Sequence, residues 1–141
     1  MNLTRAELAT MIDHTLLKPE ATPDQVRATL EEGARLGCFS VCVSPSQVPL
    51  EAPEGLKVCV VVGLPSGAHQ AEAKAYEAKL AAEAGVDEID MVINLSHALT
   101  GAYDKTEAEV RAVREAAPDV LLKVIIESAA LNDDQLSLIH I

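Results

Sequence analysis

Two stretches decide the fold: Asp87–Asn94, reading DEIDMVIN, and Val120–Glu127, reading VLLKVIIE. Successive residues of a β-strand point to opposite faces, so each stretch sorts into two sets. In the first, Ile89, Met91 and Ile93 share one face, while Glu88, Asp90 and Asn94 share the other. In the second, Val120, Leu122, Val124 and Ile126 oppose Lys123 and Glu127. A face that is apolar throughout packs against helices. A face carrying Asp, Glu, Lys and Asn lines something wet and chemical.

Working outward, the same sorting holds at Phe39–Val43 (FSVCV), where Phe39, Val41 and Val43 oppose Ser40, Cys42 and Ser44. Lys57–Gly63 (KVCVVVG) reads as another buried strand. Between these strands lie helical patterns. Thr22-Pro23-Asp24-Gln25 opens one, with Thr22 as cap, Pro23 in the first turn and Gln25 at the capping-box position; Val26, Leu30 and Ala34 then repeat every four residues and Gly37 ends it. Ala71, Ala75, Ala78 and Ala82 line a second helix that Gly85 terminates, and Val110, Val113 and Ala117 a third that Pro118 stops. Four strands alternating with helices imply βαβ units, right-handed crossovers and a parallel sheet. Ser44–Pro53 is expected to be a connection within the domain holding at most one helical turn.

Polar residues near strand C-termini suit the mouth of a (β/α)8 barrel, but a flavodoxin-like open sheet gathers them there too. Strand order separates the two readings. A barrel keeps the order sequential, whereas a doubly wound sheet reverses it.

Composition agrees with either architecture. The 141 residues are 49% hydrophobic with one Phe, two Tyr and no Trp, so the core must be aliphatic, as in parallel sheets covered by helices. A formal net charge of −11 argues against nucleic acid or an anionic membrane as partner, since both demand a basic face. The N-terminus reads as neither signal nor transit peptide, and no apolar run approaches the ~20 residues of a membrane span; a cytoplasmic location is expected. Cys38, Cys42 and Cys59 form no CxxC pair and are odd in number, so neither a disulfide framework nor a zinc site is expected, and no metal is assigned.

Lys123 is the candidate for chemistry. Embedded in an apolar strand, its ammonium is disfavoured by desolvation, and a neutral amine is a nucleophile. Asp90, on the matching face one strand earlier, would lie within ~5–6 Å at the usual ~4.8 Å strand spacing. An amine beside a carboxylate suits imine chemistry on a carbonyl substrate. It equally suits an ion pair that only fixes register, and the residues alone leave both open. Asp13-His14-Thr15 is expected in a loop or turn, His69 at the start of a helix and His97 in a loop, both solvated; His140 is set aside. Gly63–Ala68 (GLPSGA) lacks the GxGxxG and GK[ST] patterns of phosphate loops and reads as a tight turn at the rim of the site.

Ile12–Pro19 (IDHTLLKP), Val41–Pro45 (VCVSP), Val60–Ala68 (VVVGLPSGA), the helix bearing Lys74 and Glu77, Gly85–Asn94 (GVDEIDMVIN) and Leu121–Ser128 (LLKVIIES) occur in one order. In that order the chain resembles the deoxyribose-phosphate aldolases from about Met11 to Leu131. The resemblance implies a partial TIM barrel with parallel strands in sequential order, its C-terminal strands missing. It implies cofactor-free class I aldolase chemistry on a phosphosugar, 2-deoxy-D-ribose 5-phosphate, giving acetaldehyde and glyceraldehyde 3-phosphate through a Schiff base.

The resemblance also assigns roles. Asp90 corresponds to a proton-relay aspartate, while Lys123 corresponds to a substrate-contacting lysine and not to the Schiff-base former. Asp13, Thr15 and Cys42 correspond to pocket-lining positions. The family's imine-forming lysine belongs to a later KTSTG-like segment that does not occur in these 141 residues, so the chain alone is expected to be inactive. Residues 132–141 are expected to form a tail outside the family pattern. A homodimer is the expected assembly of the whole enzyme. Two other readings stand beside this one: a non-catalytic small-molecule binding module on an open α/β sheet, and a truncation product without function.

Overall fold

The computed structural model describes residues 3–139, leaving His140 outside. Five parallel strands form one sheet in the order β1-β2-β3-β4-β5: β1 Asp13–Leu16, β2 Ser40–Val43, β3 Lys57–Val62, β4 Glu88–Val92 and β5 Leu121–Ile125. Helices α1 Arg5–Ala9, α2 Pro23–Leu36, α3 Ala71–Glu83, α4 Leu95–Leu99, α5 Tyr103–Ala116 and α6 Asp133–Ile139 complete the described chain. The sequential order removes the switch point that a doubly wound sheet requires.

The sheet is also curved. Four strand spacings of ~4.8 Å would separate β1 from β5 by roughly 19 Å in a flat sheet, too far for one lysine and one aspartate to bridge. Yet Lys123 Nζ on β5 lies 2.5 Å from Asp13 Oδ2 on β1. The strands therefore wrap around a common interior, as in a segment of a (β/α)8 barrel.

The fifth strand corrects the sequence reading. Asp13-His14-Thr15 is strand, not loop or turn, paired in register with β2 from Asp13↔Ser40 to Leu16↔Val43. A four-residue DHTL segment has no alternating apolar run to announce it; pairing along β2 gives it its structure. His14 points outward to Glu32 of α2, Nε2 to Oε2 3.0 Å.

Elsewhere the local signals hold. Thr22 and Gln25 form the capping box of α2, Gly37 closes it at φ 73°, and one turn of 3-10 helix occupies Pro45–Gln47. The helix-facing side of the sheet is the main core, with Val41, Val43, Val58, Val60, Val62, Ile89 and Met91 meeting Val26, Leu30, Ala78, Ala81 and Val113. A smaller cluster, Cys42, Cys59 and Val61 with Leu17 and Leu64 packed on it, lies apart from it.

Two expectations about helices change. The centre of the inner face of α3 is Lys74, Ala78 and Ala81 rather than the alanine stripe alone, and α5 buries Thr106 and Glu109 beside Val113. His97 lies in α4, not a loop, with its Nδ1 buried and unpaired. His69 is exposed just before α3, as expected. Among the described residues no helix is long and apolar enough to cross a membrane.

Candidate active site

The site lies on the inner face and gathers around one ammonium. Register sets Asp90 directly beside Lys123 on adjacent strands, and Asp90 Oδ1 is 3.2 Å from Lys123 Nζ. Glu88, two residues earlier on the same face of β4, brings Oε2 to 3.1 Å. Asp13 reaches across the interior at 2.5 Å, and its other oxygen accepts from Ser40 Oγ at 2.7 Å. Three carboxylates thus face one lysine. Asp13 takes the well-formed hydrogen bond, whereas Glu88 Oε2 and Asp90 Oδ1 are buried close to the ammonium without bonding geometry.

Electrostatics bear on the two readings that the sequence left open for Lys123. Burial acts to lower the pKa of Lys123, but the hydrogen bond with Asp13 and the close carboxylates of Glu88 and Asp90 prevail and raise it well above its ordinary value. Lys123 is an ammonium at neutral pH, not the neutral nucleophile that strand burial alone suggested. For Asp13 burial pulls upward, and the bonds to Lys123 and Ser40 outweigh it, holding the carboxyl below its usual range.

The remaining candidates are placed as follows. Cys42 is buried on β2 opposite Cys59 of β3, and Asp90 offers a carboxylate oxygen within 4.8 Å of both sulfurs. Contact with Cys42 and burial push the Cys59 thiol strongly up, so without a bound cation it stays protonated. Thr15 pairs with Cys42 in register, but its exposed hydroxyl donates to the Asp13 carbonyl at 2.8 Å rather than joining the charged cluster. Glu88 and Ser40 also belong to the cluster, although the motifs do not single them out; strand parity alone puts Glu88 on the face of Asp90 and Ser40 on that of Cys42.

A second buried pair braces the strand ends. Lys74 of α3 donates to Glu109 Oε2 at 2.7 Å and to the Val92 carbonyl at 2.8 Å, with both side chains nearly inaccessible. Glu109 Oε1 accepts the Asn94 N–H at 2.7 Å, and Glu77 accepts the Gly63 N–H at 2.8 Å. The C-terminal ends of β3 and β4 are held from behind by side chains of α3 and α5. Gly63–Ala68 follows β3 as the expected tight turn.

Comparison with known proteins agrees with this geometry. A family model described as DeoC/LacD family aldolase matches residues 8–137, running past Leu131 into α6. The chain is 54% identical over 135 residues to a deoxyribose-phosphate aldolase of Kocuria rhizophila, covering 95% of this chain, and 54% identical over 134 residues to one of Corynebacterium diphtheriae, covering 94%. It spans 62% of the length of each of these relatives. Among solved structures, the tetrameric deoxyribose phosphate aldolase of Aeropyrum pernix superposes with a TM-score of 0.82 at 32% identity, covering 96% of this chain and 59% of that one. With strands in sequential order, a curved sheet and a match over nearly the whole chain, the protein belongs to the DeoC/LacD family of aldolases.

Proposed function

We propose that these residues form part of the active site of a deoxyribose-phosphate aldolase, a cytoplasmic lyase that cleaves 2-deoxy-D-ribose 5-phosphate into acetaldehyde and glyceraldehyde 3-phosphate. The observation that carries this reading is the ammonium of Lys123 held among Asp13, Glu88 and Asp90 on the inner face of a curved parallel sheet. A lysine kept charged cannot attack a carbonyl, so it serves as a fixed donor that grips and polarises a substrate oxygen. Asp90, beside it with an unbonded oxygen, is suited to pass a proton through water to and from the reacting carbon or hydroxyl. Asp13 holds Lys123 in place, and in this reading Cys42 and Thr15, paired on β2 and β1, would contact the substrate.

The imine is formed by an amine other than Lys123. Among the described residues the other lysines are poor candidates: Lys74 is sealed in its ion pair, Lys57 is paired with Asp87, and Lys18, Lys79 and Lys105 are exposed. The 141-residue chain is therefore expected neither to cleave 2-deoxyribose 5-phosphate nor to yield a borohydride-trapped adduct. Incubation with substrate and borohydride, followed by peptide mass mapping, tests both roles. A trapped adduct on Lys123 would show it to be the nucleophile and overturn the assignment. The whole enzyme uses no cofactor and assembles as a homo-oligomer in this reading. The alternative of a passive binding module has less support, since the strand order is sequential and the sheet curved.

A further inference from the structure

The absence of a CxxC pair made a metal site unexpected, but register supplies what sequence spacing does not. Cys42 and Cys59, seventeen positions apart, sit opposite one another on adjacent parallel strands. Their sulfurs and a carboxylate oxygen of Asp90 all lie within 4.8 Å of one another. Both thiols are free, at 3% and 0% exposure. We propose that Cys42, Cys59 and Asp90 form a binding site for one thiophilic divalent cation of the zinc or cadmium class.

The ligand set selects the ion. Two sulfurs and one carboxylate suit soft, tetrahedral cations and not magnesium or calcium, which take oxygen ligands. Zinc–sulfur bonds of about 2.3 Å imply ligand atoms about 3.7 Å apart in a tetrahedron, so the three side chains need to close in by about 1 Å or less. The fourth position is left for water, as in sites with three protein ligands.

Charge balance favours the exchange. The three carboxylates and one ammonium of the cluster carry a formal excess of two negative charges. A divalent cation entering as each thiol gives its proton to water leaves that sum unchanged, so no new uncompensated charge is buried. The resulting dithiolate–carboxylate complex is anionic, and the Lys123 ammonium, 3.2 Å from Asp90 Oδ1, is its counter-charge. Asp90 Oδ1 is buried without a hydrogen bond, so no bond to that oxygen resists a turn of the carboxylate toward the sulfurs. Leu17 and Leu64 pack against the cluster of Cys42, Cys59 and Val61 and shield it in part from water.

The test is a cadmium chloride titration of the 141-residue chain kept reduced by a phosphine, following the ultraviolet thiolate-to-cadmium charge-transfer band. Expected are saturation at one equivalent and release of two protons per ion. Substituting either Cys42 or Cys59 with Ser or Ala should abolish the band, and Asp90→Asn should weaken binding at least about tenfold. Cys38, which belongs to the helix-side core, is the internal control, and Cys38→Ser should bind as the parent does. Circular dichroism confirms that each variant is folded. The proposal is overturned if the folded, reduced chain gives no band, if the band survives loss of Cys42 or Cys59, if it disappears with Cys38, or if Asp90→Asn binds as tightly as the parent. None of these outcomes depends on aldolase turnover, so the site stands or falls apart from the proposed function.

Discussion

Lys123 shows how neighbours set the chemistry of a residue. The same strand burial that would make a lone lysine nucleophilic is outweighed here by Asp13, Glu88 and Asp90. The carboxylates feel the reverse effect. Asp13 and Asp87 both sit below the ordinary value of 3.8. For Asp87 burial opposes the shift, and the Lys57 ammonium at 2.7 Å and the Val58 N–H at 2.9 Å overcome it. A carboxylate with a depressed folded pKa contributes stability that is fully present above its unfolded value and is lost as pH falls through the lower folded value. Urea unfolding should therefore show stability declining below about pH 4, and Asp87→Asn should lower stability at neutral pH while flattening that acid limb. An acid limb of the same slope in the variant would refute the assignment.

At the scale of elements, the brace between α3, α5 and the ends of β3 and β4 is the least forgiving part of the fold. Removing one member of a buried pair leaves a charge uncompensated, so Lys74→Met should cost about 3–5 kcal/mol in urea denaturation. Adding Glu109→Gln should recover part of that loss, because the amide oxygen can still accept from Asn94 without a buried charge. A single-variant cost below about 1 kcal/mol would mean that the pair is solvated in solution.

The turn after β3 is constrained just as tightly. Gly67 has φ +65°, and a Cβ there would lie 1.9 Å from the Ile93 carbonyl oxygen. Gly67→Ala should thus destabilise by about 2–4 kcal/mol, against about 1 kcal/mol for Gly55→Ala, where φ is +84° but the space is open. Equal costs would show that backbone strain alone matters and that the β3–α3 turn does not press on β4.

Over the whole molecule, stability should fall from the middle of the sheet to its edges. Every residue of β2 is buried, as is all of β3 after Lys57, while β5 is only half-buried and Leu121 is exposed. Native-state hydrogen exchange should find the slowest amides in β3 and β4 and faster exchange in β1 and β5, the two edge strands. Uniform protection across all five strands would contradict this and point to association that covers the edges.

Sequence alone determined the elements whose side chains repeat with a period. The two-faced patterns of Asp87–Asn94 and Val120–Glu127 placed Asp90 and Lys123 on one face, and cap residues such as Thr22 and Gly37 fixed α2, because these signals are local. Three things needed the fold. DHTL became a strand only by pairing with β2. Lys74 and Glu109, separated by 35 positions, became a buried pair only when α3 and α5 packed together. Lys123 met Asp13, 110 positions away, only because the sheet curls. The physical reason is common to all three: side-chain periodicity is written within a single strand or helix, whereas curvature, burial and charge pairing arise between elements, and those contacts decided that Lys123 carries a proton.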